Sequence, residues 1–113
     1  MATQGHVASA AMAKVAIFAK LVAHPGKRDE AAVALEQMFE QVEQEDGTEQ
    51  YVLHEDLGDE NVLWFYELYT HGDAAAEHGA SDAMKATFTA LGDLVADTEI
   101  VMAEPTRAKG VDL

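Results

Sequence analysis

The chain has 113 residues, with 21 Asp and Glu against 7 Lys and Arg and a formal charge of −14 at pH 7. That length supplies one core rather than two, the 49% apolar content is enough to pack it, and the negative field argues against nucleic acid and anionic membrane surfaces as partners. The lack of cysteine excludes disulfides, thiolate metal sites and thiol nucleophiles, and fits a reducing, cytoplasmic setting.

Residues 1–11 are Ala-rich and weakly hydrophobic, without the basic start of a secretory signal. They read as a flexible tail, with Met12 as an alternative start. No apolar run reaches the roughly 20 residues a membrane helix needs. Val15 to Ala23 alternates, with Val15, Ile17, Ala19 and Leu21 on one side and Ala16, Phe18, Lys20 and Val22 on the other; this predicts a strand. His24-Pro25-Gly26 ends it. Ala31, Ala34, Leu35, Met38 and Val42 then recur at helical spacing, with Glu30, Glu36, Glu40 and Glu43 mainly opposite them. That is an amphipathic helix, stopped at Asp46-Gly47.

Glu49 to Asp56 alternates again, with Tyr51, Leu53 and Glu55 facing one way and Val52, His54 and Asp56 the other. A short Gly/Asp connector joins it to Asn61–Tyr69, an aromatic β-rich run, and the pair reads as an antiparallel hairpin. Gly72 to Gly79 predicts a short helix. Ser81 is placed to cap another, with Asp82 in its first turn and Met84, Phe88, Leu91 and Val95 on one stripe. Thr98 to Thr106 is the expected last strand, and 109–113 a tail, so the domain spans 12–108. The order β-α-β-β-α-β, its second helical unit broken at Ala80 and Ser81, gives an α+β fold of the ferredoxin-like, split βαβ kind.

Two helices cover only one face of a four-stranded sheet. The other face is left with side chains drawn from Phe18, Val22, Val52, Trp64 and Tyr66, an apolar surface rarely left in water. A two-fold copy presenting the same face would bury it. Several such side chains, at roughly 1.5 to 3 kcal/mol each, outweigh an association cost of about 4 to 15 kcal/mol. A homodimer closed into an α+β barrel is therefore expected.

Gly47, Tyr51, the run Phe65-x-Glu67-x-Tyr69 and His78, eleven residues after Glu67, stand in the order and spacing of a known family. Together with the Pro25-Gly26-Lys27 opening of the first helix, they make residues 14 to 106 resemble the antibiotic biosynthesis monooxygenases. The resemblance implies a quinol-monooxygenase-like enzyme that needs no cofactor. A phenol or hydroquinone loses a proton, and its anion reduces dioxygen directly. The protein supplies a dry cavity, a base and groups that stabilise the anion. The partners implied are a small aromatic substrate, dioxygen and a second copy of the chain. A non-catalytic small-molecule binder is the alternative, as is haem degradation, cyclisation or isomerisation on the same fold. The haem-ligating histidine and Asn–Trp pair of haem-degrading members find no clear place here, and an acidic surface suits haem propionates poorly.

His78 and Glu67 are the candidate catalytic residues. Imidazole titrates near neutrality, and a mid-strand carboxylate among apolar neighbours has to be paired or hydrogen-bonded. The structural alternatives are a histidine that orders the helix junction and a carboxylate satisfied at the sheet–helix boundary. Trp64, Phe65, Tyr66 and Tyr69 are candidate substrate-binding residues, as are Tyr51 and Asn61; core, dimer interface and hairpin are their structural alternatives. His6, His24, His54 and His71 form no metal-binding spacing, so no metal is expected, and no Gly-rich phosphate or dinucleotide motif is present.

Overall fold

A computed structural model describes residues 13–113; the N-terminal tail, His6 and the alternative start at Met12 lie outside the described residues. Strand β1 is Val15–Ala23 and helix α1 is Arg28–Val42. The hairpin follows as β2, Thr48–Glu55, and β3, Val62–Tyr69. Helices α2, Gly72–Gly79, and α3, Asp82–Leu91, then lead through a 3-10 turn, Gly92–Leu94, to β4, Val95–Ala103. The sheet order is β2-β3-β1-β4, every neighbour antiparallel. This is the ferredoxin-like α+β arrangement.

Local chemistry explains the boundaries. Lys27 N donates to His24 O at 2.9 Å across Pro25-Gly26, and Gly26 has φ +79°. Proline second and a left-handed glycine third is the pattern of a type II turn. Asp29 and Glu30 in the first turn of α1 complement the positive end of its dipole. Arg28 ties that end to the hairpin, reaching Glu55 at 3.3 Å and the Asp59 carbonyl at 3.3 Å. Ser81 caps α3 by accepting from Met84 N at 3.1 Å, so the helical unit does break at Ala80–Ser81.

The last strand starts and ends three residues earlier than the sequence pattern indicated, and Val95 belongs to it rather than to the α3 stripe. Gly92 closes α3, and after the single 3-10 turn His24 N donates to Leu94 O at 2.9 Å. From there β4 pairs along β1 from Ala23↔Val95 to Ala16↔Ala103. The ladder ends there, one residue short of the start of β1 at Val15, and Pro105 has no N–H to donate.

Residues Ala19 and Leu21 of β1 and Leu63 and Phe65 of β3 meet Ala31, Leu35 and Leu91 of the helices in the main core. Tyr69, Ala74 and Ala75 form a second cluster beside α2. On the opposite face of the sheet Phe18, Val52, Trp64 and Val101 stay exposed, at 44%, 41%, 36% and 49%. These are the residues whose register places them away from the helices.

Among the described residues, the one glycine at which close approach decides the packing is Gly47. A Cβ there would lie 2.4 Å from the Ala74 Cβ on α2, and the Gly47 carbonyl accepts from Thr70 N at 2.9 Å. Gly47→Ala therefore has to push α2 outward. It is expected to cost about 1–3 kcal/mol, read as a lower urea midpoint at unchanged slope; a wild-type midpoint would mean α2 shifts freely.

Candidate active site

Between the helices and the sheet lies a cavity of about 270 Å3, at the small end for ligand pockets. Ala19, Leu21 and Phe65 form its floor, and Met38, Met84 and Leu91 its walls. Phe88, Gly92, Thr98 and Ile100 also line it and are exposed, so they mark its mouth. The side chains facing it that carry polar atoms are Glu67, Tyr51, Thr87 and Thr98. Thr87 spends its hydroxyl proton on the Ala83 carbonyl at 2.8 Å.

Glu67 reaches this space because β3 alternates: Leu63, Phe65, Glu67 and Tyr69 face the helices, opposite Leu21, Ala19, Ile17 and Val15. The carboxyl falls between the two apolar clusters. Burial pushes its pKa up, and the hydrogen bond from Tyr69 together with the nearness of His78 offsets only part of this. Tyr69 Oη donates to Glu67 Oε1 at 2.5 Å. Burial, reinforced by the Glu67 carboxylate, pushes the Tyr69 phenol far up, and the same two causes raise Tyr51. Both phenols stay protonated as hydrogen-bond donors.

His78 sits in the last turn of α2, 2% exposed. Its ring lies 5.2 Å from that of Tyr51 and 5.4 Å from that of Tyr69. Nδ1 is 2.9 Å from Glu45 Oε1, while Nε2 is 3.8 Å from Glu67 Oε1 and has no hydrogen-bond partner. Glu45 is held in turn: Thr48 Oγ1 donates to its Oε1 at 2.7 Å and Gln41 Nε2 to its Oε2 at 2.8 Å. Burial raises the Glu45 carboxyl, but the hydrogen bonds from Thr48, Gln41 and His78 outweigh that and hold it below the usual carboxylate range. The arrangement is a line of titratable groups, Glu45–His78–Glu67–Tyr69, running from the helix junction to the cavity wall.

Five of the residues singled out from the sequence thus come together: His78, Glu67, Tyr69, Tyr51 and Phe65, the last two with ring centroids 4.7 Å apart. Three do not. Trp64 and Tyr66 project from the opposite face of the sheet, where Trp64 Nε1 donates to Asp56 Oδ1 at 2.8 Å and Tyr66 packs on Phe18 at 5.4 Å. Asn61 lies ahead of β3 and accepts from Gly26 N at 3.4 Å, a hairpin contact away from the cavity. Glu45 and Thr87 were not singled out by sequence. Among the described residues no helix is long and apolar enough to cross a membrane.

The family model described as antibiotic biosynthesis monooxygenase matches residues 12–90. Among solved structures, a protein of Caulobacter crescentus described as a candidate antibiotic biosynthesis monooxygenase is similar over 91% of this chain and 99% of its own, at 25% identity and TM-score 0.80. Rv0793 from Mycobacterium tuberculosis is similar over 84% of this chain and 97% of its own, at 25% identity and TM-score 0.76. The Shewanella oneidensis protein SO0527, at 21% identity and TM-score 0.79 over 83% of this chain and 92% of its own, shares the fold. No curated protein matches the sequence.

Proposed function

The chain belongs to the antibiotic biosynthesis monooxygenase family, and from that premise we propose that it oxidises a small phenolic or quinol-type aromatic with dioxygen, the substrate itself supplying the electrons. The observation that carries this reading is Glu67: a carboxyl of raised basicity, the one ionisable carboxyl at the wall of a mainly apolar cavity, with a bare imidazole nitrogen behind it. A base of this kind is matched to a proton that water at neutral pH removes poorly. The mainly apolar walls favour a flat ring packed on Phe65 and Tyr51.

In the proposed reaction Glu67 takes the proton of a ring hydroxyl, and the resulting anion transfers electrons to dioxygen. One oxygen atom bonds to a ring carbon in place of its hydrogen, the O–O bond breaks, and the other oxygen leaves as water with two of the substrate's hydrogens. A hydroquinone loses four electrons in all and becomes a hydroxyquinone, so the equation balances without a further reductant. The high pKa of Tyr69 keeps its proton on the phenol, where it steadies Glu67 rather than competing with it.

The test is oxygen uptake with a 1,4-naphthohydroquinone and an anthrone as probes, measured against the spontaneous rate. Uptake that depends on the protein and yields one oxygenated product per dioxygen, a hydroxyquinone from the naphthohydroquinone and a quinone from the anthrone, supports the reading. Ligand-induced thermal shifts with no uptake above background for either probe would make the protein a binder instead.

We also propose that the exposed face carrying Phe18, Val52, Trp64 and Val101 is closed by a second copy of the chain. A patch of this kind, made of side chains from all four strands, suits an isologous interface.

A further inference from the structure

The line of groups behind the cavity contains two members to which the proposed reaction gives no step, His78 and the carboxylate of Glu45. The position of Glu45 decides which nitrogen of His78 carries the proton. Ionised Glu45 has no proton to give, and both of its oxygens already accept from Thr48 and Gln41. At 2.9 Å from this carboxylate, Nδ1 of His78 must be the donor, since a lone pair facing it would repel. The other nitrogen is then unprotonated in the neutral ring. This accounts for the buried Nε2 without a partner: at 3.8 Å from Glu67 it is too far to hydrogen-bond, yet Glu67 is the only carboxylate it faces among the described residues within salt-bridge range.

We propose that Glu45 is a positioning residue for His78, fixing the Nδ1–H tautomer so that Nε2 stands as the acceptor for the proton that Glu67 removes from the substrate. This rests on the oxidative reading of the same cavity. The bookkeeping is closed. The substrate O–H bond breaks and a Glu67 O–H bond forms. Once the carboxyl turns to close the 3.8 Å gap, that proton passes to Nε2, leaving an imidazolium between two carboxylates. It returns through Glu67 to the peroxide oxygen that leaves as water. No net proton crosses the wall of the site, so none needs an exit to solvent. Tyr51 and Tyr69, whose rings border the imidazole, stay protonated and do not divert it.

The test is the tautomer of neutral His78, read by long-range proton–nitrogen correlation in 15N-histidine protein, with its signals identified by their loss in His78→Asn. Wild type is expected to carry the proton on Nδ1, and Glu45→Ala to move it to Nε2, the nitrogen that faces the remaining carboxylate, Glu67. With the naphthohydroquinone probe the same variant is expected to lose roughly 10- to 100-fold in kcat with KM little changed. A variant that merely loosens α2 would lower Tm without moving the proton between nitrogens. A wild-type Nε2–H tautomer, a doubly protonated ring at pH 8, or an unchanged tautomer in Glu45→Ala would each overturn the inference. Should Glu45→Ala fail to fold, the wild-type spectrum decides alone. The tautomer is read without turnover, so inactivity toward both probes would count against the oxidative reading and leave the assignment of Glu45 to the spectra.

Discussion

Glu67→Gln is expected to cut turnover by about 10^2- to 10^4-fold while raising the thermal midpoint at pH 8. The two effects share one cause. The amide keeps an oxygen to accept from Tyr69 and leaves the shape of the wall intact, but it removes the base. It also removes a charge that burial disfavours. Because the folded pKa of Glu67 lies above its ordinary value, the group costs nothing below that ordinary value, where it is neutral folded and unfolded. As pH rises, the unfolded chain ionises first and the cost grows until the folded pKa is passed. The stability gain of the variant should therefore be larger at pH 8 than at pH 4, where it fades. Glu45 has the opposite sign: its folded pKa is lowered, so its contribution is present above the ordinary carboxylate value and lost as pH falls through the folded one. Differential scanning at both pH values, with oxygen uptake, checks the prediction. No gain at pH 8 would mean that the buried charge is compensated. Full activity in both Glu67→Gln and His78→Ala, on a verified substrate, would remove these residues from the mechanism.

The second large effect concerns assembly. Phe18→Asp is expected to convert a dimer into a monomer while leaving the fold of each protomer near wild type. Phe18 is 44% exposed in the single chain, so a carboxylate there meets water and costs the protomer little. In a two-fold interface the substitution appears twice. Losing two buried aromatic side chains forfeits about 3–6 kcal/mol, two to four orders of magnitude in Kd, before the desolvation of two carboxylates is added. Each protomer already carries −14, so added salt should tighten the wild-type dimer by screening that repulsion. Light scattering across concentration and salt checks both statements. A wild-type monomer at micromolar concentration would overturn the proposed dimer, and a variant that stays dimeric would place the interface elsewhere.

The architecture was legible because period-2 alternation is a strong signal wherever one face of a strand is covered. The sides assigned to Phe18 and Ala19, or to Tyr51 and Val52, follow from it directly. The start of β4 was not legible: Val95 fits a helical stripe as well as a strand, and only the turn closed between His24 and Leu94 decides. The aromatic run of β3 shows a different limit. Alternation separates Phe65 from Trp64 and Tyr66, but it does not say which set faces a cavity and which the open side, because both sets are apolar. Glu45 was readable in principle. It continues the series Ala31, Leu35, Met38, Val42 at helical spacing, an acidic residue on the buried stripe, yet among Glu36, Glu40 and Glu43 it passes as one more solvated charge. Only its three hydrogen-bond partners separate it from them.

The interruption at Ala80–Ser81 places the groups that handle the proton and the groups that shape the chamber on separate helices. His78 belongs to α2, and Met84, Phe88 and Leu91 to α3. Replacements at Met84 or Phe88 therefore redraw the outline a ligand must fit without disturbing the imidazole and its two carboxylates. Under the proposed reaction, a lineage built on this plan is free to exchange one aromatic compound for another by altering a single ten-residue helix, keeping its acid–base apparatus as inherited.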